Sequence, residues 1–334
     1  MSVAGLCASH DDARSLRLAL LDELRRIVPF DAFAWLLTDP ETEVGTAPIA
    51  DVPCLPQLPR LIRLKYSTVI NRWTHQSEPV ALLHEATDGR LERSLMWRGL
   101  LADHGVSDVA SMVFRDRFGC WSFLDLWRIG RVFTDADASA LGAHTELITG
   151  ALRRCAARTF GEPGTSRTVN RTGPIVLMLS PDLDVRAQTP ETEQYLRELV
   201  PPDDDRPPVP AAAYNVGAQL LALENGVDDH PPVARVHLAA GDWLTLRAAR
   251  IADGIAVSIE ISSPTERLGL FRRCSGLTPR EAELLDLLAT GADTRAVAHQ
   301  MYLSEHTVQD HLKSIFAKTG TRSRRELLTR ATGR

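Results

Sequence analysis

The chain has 334 residues, more than the ~100–200 residues of a usual domain, which predicts two or three cores rather than one small module. Hydrophobic residues make up 44% and charged residues 24%, so a mainly disordered or fibrous chain is excluded. The formal net charge is −5, but residues 270–334 carry +4 and the remainder −9, which indicates a basic C-terminal module on an acidic body.

Signals for export, membrane insertion or disulfide formation are not evident in the sequence. No window approaches the ~18 uncharged apolar residues of a spanning helix. The N-terminus also lacks a basic segment followed by a long apolar run. Five widely separated cysteines form no CxxC pair, which argues against a disulfide framework or a zinc site. The sequence therefore predicts a cytoplasmic protein with reduced thiols and no membrane association.

Residues 1–157 are predicted to form an α+β domain. The apolar period of "SLRLALLDELRRIV" predicts a helix that stops at Pro29. The segment "FDAFAWLLTD" predicts a strand, and "DVASMVFRD" and "CWSFLDLWRI" flank "RFG" as a β-hairpin. Residues 57–74 and about 90–103 have a helical pattern, and Thr134 is expected to cap the helix that closes the domain.

A second α+β domain is predicted over residues 174–263, after a Gly/Pro/Ser/Thr-rich linker at 158–173. It begins with a strand pair and a helix in "PETEQYLREL", continues through a Pro/Asp-rich loop at 201–210, and has a helix near 211–224. Three strand-like runs separated by short turns then predict an antiparallel meander. Residues 264–275 are predicted to form a second linker.

The order of strands and helices in these two domains resembles that of small sensory folds. "FDAFAWLLTDPET" and "RVFTDADASAL" resemble the opening and closing segments of GAF domains, and "VLMLSPDLDVRAQTPETEQYL" resembles the entry of a PAS domain. The resemblance implies a GAF-like domain followed by a PAS-like domain. The alternative is a pair of α+β domains that only pack or dimerise.

Residues 276–334 are predicted to form a domain of four short helices. Thr278 and Glu281 form a capping box, Gly291 is suited to the end of the first helix, and Asp293 and Ser304 can cap the next two. In the third helix, Val308, Leu312, Ile315 and Phe316 follow a spacing of three and four that predicts a buried face. Ser323 is expected to begin the fourth helix.

The opposite face of the third helix is polar. His306, Gln309, Asp310 and Lys313 fall within a sector of roughly 100° on the helix surface. A major groove admits one helix and presents base edges to amide and charged side chains, while nearby cations and helix N-termini bind phosphates. The pattern favours DNA binding, and the alternative is a solvated face on a small helical bundle.

The whole region 277–328 resembles the LuxR-type (GerE) helix-turn-helix of bacterial transcription regulators. The residues that match the family pattern are Leu277, Thr278, Arg280, Glu281, Gly291, Ala298, Leu303, Ser304, Thr307, Val308, His311, Leu312, Lys318, Gly320, Ser323, Arg324, Glu326 and Leu327. The resemblance implies base contacts from the third helix and phosphate contacts from its surroundings. The candidates for base contact are His306, Gln309, Asp310 and Lys313, and those for phosphate contact are Thr307, Lys318, Arg322 and Arg324.

Four positions depart from the family pattern. Ala296 stands where the family usually has Glu, and Gln309 where it often has Lys, so one contact is expected to be lost or changed. Thr319 and Thr321 replace the usual apolar pair after Lys318, which is expected to loosen packing under the last helix.

The fold class predicted for the chain is therefore multidomain, with two α+β sensory domains followed by an all-α helix-turn-helix domain. Double-stranded DNA is the expected partner, a homodimer the expected state, and an unidentified small molecule or protein the expected effector. No catalytic, cofactor or metal-binding motif is found, so a non-enzymatic regulator is favoured. The alternatives left open are a scaffold protein that does not target DNA and a sensory domain with an unrecognised catalytic site.

Overall fold

The computed structural model describes residues 1–161, 174–199, 210–238 and 242–333. The predicted linker at 158–173 and the Pro/Asp-rich loop at 201–210 therefore lie almost wholly outside the described residues. We use "first unit" for residues 1–161, "second unit" for the described part of 174–261, and "C-terminal domain" for 276–333.

The first unit is built on a five-stranded antiparallel sheet with the order β2-β1-β5-β4-β3. Helices α1, α2 and α7 pack on one face, and α3 and α5 pack on the other. The elements are α1 Val3–Ser9, α2 Ala13–Ile27, β1 Ala32–Thr38, β2 Gly45–Asp51, α3 Leu58–Ser67, β3 Val80–Leu82, α4 Leu83–Ala86, α5 Leu95–Gly99, β4 Val106–Asp116, β5 Gly119–Ile129, α6 Asp135–Gly142 and α7 Thr145–Arg158.

The hairpin of β4 and β5 confirms the sequence prediction. Its strands pair as far as Asp116 and Gly119, with a register shift between Phe114 and Arg115, which leaves a loop of two residues. Gly119 has φ of +150°, and a Cβ atom there would lie 2.1 Å from the carbonyl oxygen of Pro40. Glycine is therefore required at this position, both by the backbone conformation and by the close approach of the neighbouring turn.

Two predictions for the first unit were wrong in detail. The helix predicted over 57–74 ends at Ser67, because the β-branched run Thr68, Val69 and Ile70 disfavours its continuation. The stretch 90–103 forms only short turns around α5 rather than one helix. Strand β2, which the sequence analysis did not identify, follows a turn at 40–42 and tolerates Pro48 because it lies at the edge of the sheet.

The second unit contains another five-stranded antiparallel sheet, with the order β7-β6-β10-β9-β8, which confirms the predicted meander of β8, β9 and β10. Helix α9 packs on this sheet and also on α3 and β2 of the first unit. The elements are β6 Ile175–Leu179, β7 Val185–Gln188, α8 Pro190–Leu199, α9 Ala211–Glu224, β8 Val233–His237, β9 Trp243–Ile251 and β10 Gly254–Ile261.

The segment 264–275, predicted as a linker, is instead largely a helix, α10, over Pro264–Cys274. Ser263 caps it in a reciprocal capping box with Glu266, and Pro264 occupies the first helical position. Phe271 of α10 meets Phe160 edge to face at 5.3 Å, and Trp243 of the second unit stacks on the same ring at 5.2 Å. Glu266 of α10 also forms an ion pair with Arg247 of the second unit, so the connection to the C-terminal domain contacts both units.

The C-terminal domain consists of four helices, as predicted, and all five cysteines of the chain are buried and unpaired. The helices are α11 Pro279–Ala289, α12 Thr294–Gln300, α13 Glu305–Thr319 and α14 Arg324–Thr332. Within the described ranges no helix has the length and apolar character needed to cross a membrane.

Candidate DNA-binding site

Side-chain caps fix the start of each helix in the C-terminal domain. Thr278 and Glu281 exchange hydrogen bonds in a complete capping box, Asp293 accepts from the amide of Ala296, and Ser304 accepts from the amide of Thr307. These bonds satisfy amides that would otherwise have no partner at a helix start. The caps predicted from the sequence are confirmed, so the direction in which α13 leaves the turn is set locally.

The helix ends are equally local. Gly291 after α11 has φ of +91°, and Gly320 after α13 has φ of +63°, which are left-handed conformations that glycine adopts without steric cost. After these turns, α12 packs on α11, and α14 packs on α10 and α11.

One face of α13 anchors it in the domain. Val308 and Ile315 are fully buried, and Leu312 is 5% exposed. Each lies three or four residues from the next, so all three point to the same side of the helix and pack against the apolar residues of α11 and α12. The predicted inner face is confirmed.

The other face of α13 is open to solvent. The side chains of His306 and Lys313 are 85% and 73% exposed, Asp310 is 54% exposed, and Gln309 is exposed as well. The Lys313 ammonium donates to Asp310 at 3.0 Å and holds the pKa of that carboxyl below its usual range. The structure therefore places all four predicted base-contact residues together on one accessible surface.

The four residues predicted to contact phosphates occupy different environments. Arg322 is exposed, and the Thr307 hydroxyl lies 2.9 Å from that of Ser304 at the helix start. Lys318, by contrast, donates to Glu281 at 2.6 Å, and Arg324 donates to the carbonyl of Ala292. Lys318 and Arg324 thus hold the helices of the domain together, and their contact with phosphate stays a prediction.

Glu281 is the residue that joins α11 to α13. One carboxylate oxygen accepts from Ser314 at 2.6 Å, and the other accepts from Lys318 and from the amide of Thr278. Burial raises the pKa of this carboxyl, but hydrogen bonds from Lys318, Ser314 and Thr278 outweigh it and lower the pKa to about 2. The negative charge of Glu281 is therefore part of the folded domain.

This low pKa predicts an acid-dependent loss of stability. A carboxyl whose pKa is depressed on folding stabilises the folded state above its unfolded pKa, near 4.5, and that contribution is lost as the pH falls toward 2. In Glu281→Gln, the melting temperature of the C-terminal domain is expected to drop at pH 7 and to change less than that of wild type between pH 5 and 3. Parallel pH profiles for the two proteins would contradict this role.

Sequence reasoning missed two exposed side chains beside α13. Tyr302, in the turn between α12 and α13, is 94% exposed and has φ of +56°. Arg295 is exposed in the first turn of α12 and has no carboxylate partner among the described residues. An aromatic residue two positions before a capping serine, and a cation two residues after a capping aspartate, are the signals that would have identified them.

The two threonines at the unusual positions are well accommodated. The Thr319 hydroxyl donates to the carbonyl of Ile315 at 2.8 Å and lies 2.8 Å from the hydroxyl of Thr321, which is 4% exposed. Both hydroxyls therefore have hydrogen-bond partners, so neither threonine leaves an unsatisfied polar group under α14.

Outside the C-terminal domain, the described residues bring together Asp228, Asp229 and His230, whose potential ligand atoms lie within 4.8 Å of one another. Asp228 is already bound by Arg72 at 2.7 Å and by Thr74 at 2.7 Å. The group is therefore a charge-compensated contact between the two units rather than an open metal site.

Comparison with known proteins supports the identity of the C-terminal region. Residues 275–331 match the family of bacterial regulatory proteins, luxR family, and form a LuxR-type helix-turn-helix domain. A probable HTH-type transcriptional regulator, GfsR of Streptomyces halstedii, is 32% identical over 139 residues, covering 42% of this chain and 52% of that protein. The chain thus spans about half the length of this relative.

Two further similarities cover very different shares of the chain. The monoamine regulon transcriptional regulator of Klebsiella aerogenes is 41% identical over 54 residues, which is 16% of this chain and 24% of that protein. The crystal structure of Escherichia coli SdiA aligns with 98% of this chain and 93% of its own, at 11% identity and a TM-score of 0.35.

Proposed function

We propose that the protein is a sequence-specific DNA-binding transcription regulator. The observation that carries the proposal is the exposed face of α13, where an imidazole, an amide, a carboxylate and an ammonium project from a helix anchored on its other side. It lies within the 57 residues that match the luxR family. An anchored helix with such a face has the shape and the chemistry that a major groove accepts.

The proposed readout assigns one base type to each of three side chains. Gln309 can donate to and accept from adenine, Lys313 can donate to guanine, and Asp310 can accept from the amino group of cytosine. Lys313 now donates to Asp310. To contact bases, the two side chains must either break this hydrogen bond or turn toward the bases together. His306 extends the same face toward the N-terminal end of the helix.

Phosphate contacts are proposed around the edge of this face. Arg322 is exposed near the start of α14, and the exposed Arg295 and Tyr302 flank α13 on the side of α12. Cations and hydroxyl groups at helix starts fix the register of a protein on the duplex without reading sequence. Thr307, Lys318 and Arg324 remain candidates for the same role.

The rest of the proposal concerns the two N-terminal units. We infer that they are GAF-like and PAS-like sensory domains and that the protein acts as a cytoplasmic homodimer. An effector that binds one arrangement of the units better than another would change the spacing of two C-terminal domains on two half-sites. The helix α10, packed against both units, is the path by which such a change would reach the DNA-binding helices.

The test is selection of genomic DNA fragments by the full-length protein over a range of salt concentrations. Wild type is expected to enrich particular fragments and to lose affinity log-linearly as salt rises. Lys313→Ala and Gln309→Ala are each expected to lose about 1–3 kcal/mol of discrimination between selected and unselected fragments. Arg93→Ala, which removes one exposed cation from the first unit, is the control and should retain both properties.

Two outcomes would count against the proposal. If the Lys313 and Gln309 variants select the same fragments as wild type with equal affinity, α13 is not the reading helix. If wild type binds no fragment at any salt concentration, a scaffold protein that docks other proteins becomes the better explanation, because protein docking needs no log-linear salt dependence.

A further inference from the structure

Helix α9 of the second unit lies between the two units and is mostly buried. Eleven of its fourteen residues are buried. A helix at a protein surface usually has one face exposed to solvent, so α9 is buried on more than one side. It packs on the second sheet and, on its other side, on α3 and β2 of the first unit. Polar residues on α9 must therefore find partners inside the protein or remain without them.

Two polar side chains on α9 differ in whether they have hydrogen-bond partners. The Gln219 side chain accepts from Arg72 of the first unit at 3.0 Å and donates to the carbonyl of His230 at 2.8 Å. Asn215 lies one helical turn earlier, so it is on the same side of the helix as Gln219. It is fully buried, and neither its amide nitrogen nor its amide oxygen has a partner in the part of the chain that the structure describes.

Asn215 lines a cavity of about 50 Å³ between α9 and the first unit. The other walls come from β1, β2, α3, α5 and β5, and most of their lining residues are apolar, among them Leu61 and Phe123. Trp127 also lines the cavity and is fully buried, and its indole N–H has no hydrogen-bond partner among the described residues. Burying a polar group without a hydrogen-bond partner costs free energy. Two such groups on one cavity therefore point to a ligand that would bind there and pair with them.

The charges in the cavity wall indicate that this occupant is neutral. Lys65 and Asp125 line the cavity, but they bind each other at 2.7 Å, and Ser111 donates to the same carboxylate at 2.7 Å. No net charge is left for an ionic ligand to neutralise. What remains unmatched is one amide, which both donates and accepts, and one indole donor.

We propose that this cavity binds a small neutral molecule with a compact apolar body and a hydroxyl or primary amide group. The polar group would pair with the amide of Asn215 and the indole of Trp127, and the apolar body would extend toward solvent past the half-buried Pro48, Ala50 and Leu58. This inference rests on the proposed sensory role of the two units. The ligand would touch α9 of the second unit and α3 of the first, so it would bias how the units are packed.

The test uses benzyl alcohol as the probe and the full-length protein labelled with 5-fluorotryptophan, which gives six fluorine resonances. Loss of one resonance in Trp127→Phe assigns the signal of Trp127. Benzyl alcohol is expected to shift this resonance saturably in wild type. In Asn215→Leu, its affinity is expected to fall at least about tenfold, because the polar group loses its partner.

Melting temperatures give a second readout that does not depend on the probe. Asn215→Leu should melt at or above the temperature of wild type, since an unpartnered amide is replaced by an apolar group of similar size. Gln219→Leu, one turn away, is the matched control and should melt lower, because it removes two hydrogen bonds and leaves Arg72 with one partner fewer.

Three results would overturn the inference. The first is a Trp127 resonance that does not respond to benzyl alcohol in wild type. The second is a response that is unchanged in Asn215→Leu. The third is a fall in melting temperature for Asn215→Leu as large as that for Gln219→Leu, which would mean that internal water alone occupies the cavity. Fragment selection by wild type is measured separately, so failure here leaves the DNA-binding proposal standing.

Discussion

Replacing Arg72 with leucine is expected to lower the free energy of unfolding by about 3–5 kcal/mol. Arg72 and Asp228 form an ion pair at 2.7 Å whose two side chains are both fully buried, although 156 residues separate them in the chain. The guanidinium also donates to Gln219, Thr74 and the carbonyl of Tyr66. Without it, the buried carboxylate of Asp228 would keep only His230 as a charged partner among the described residues, which is the main source of the loss.

His230 makes this loss depend on pH. Burial raises the pKa of Asp228, but hydrogen bonds from His230 and Thr74 and the charge of Arg72 outweigh it and hold the pKa below its usual range. The hydrogen bond to Asp228 in turn raises the pKa of His230. A raised histidine pKa gives stability that is complete below the ordinary value, near 6.5, and is lost as the pH rises through the raised value. The Arg72→Leu protein keeps His230 as the charged partner of Asp228, so its deficit should be larger at pH 8 than at pH 6.

Urea denaturation followed by tryptophan fluorescence at these two pH values measures both effects. Arg93→Ala is the control for loss of a cation, because its partner Asp88 is 75% exposed and such surface pairs contribute about 0–1 kcal/mol. A loss below about 1 kcal/mol for Arg72→Leu would mean that the contact between the units contributes little to stability.

The local features of the chain could be predicted from the sequence because neighbouring residues determine them. Thr278 and Ser304 begin helices through bonds to amides three residues ahead, and the two-residue turn at Gly119 requires a glycine. The inner and outer faces of α13 follow from helical spacing alone. The same kind of signal precedes α10, where Ser263 and Glu266 form a capping box that predicts a helix in the segment interpreted as a linker.

Long-range contacts could not be predicted in this way. The sequence around Arg72 and around Asp228 does not indicate that these two residues form an ion pair. They are 156 residues apart in the chain, so their contact depends on how the two units pack. The same reason explains why Lys318 was predicted to be free for phosphate: its partner Glu281 lies on another helix, 37 residues away. The polar surface of α13 was therefore predictable, but the hydrogen bonds that join the helices of the domain, such as that of Lys318 with Glu281, were not.

The second contact between the units allows a buried ion pair and a half-exposed ion pair of the same arginine to be compared. Arg235 of the second unit binds two carboxylates of the first, Asp39 at 2.6 Å and Glu41 at 2.8 Å. Asp39 is fully buried, whereas the side chain of Glu41 is 50% exposed. Burial lowers the pKa of Arg235, but the bonds and charges of Asp39 and Glu41 outweigh it and raise the pKa, so the guanidinium stays charged.

Asp39→Ala is expected to cost about 3–5 kcal/mol of unfolding free energy, because Arg235 would remain buried with one half-exposed partner. The same substitution removes the acceptor for the backbone amides of Arg235, Glu41 and Thr42. Glu41→Ala should cost no more than about 1 kcal/mol, since water already screens that pair. Urea denaturation of both variants measures the difference. Equal losses would show that burial does not set the strength of this contact, and Asp39 would then not be the residue that holds the second unit on the first.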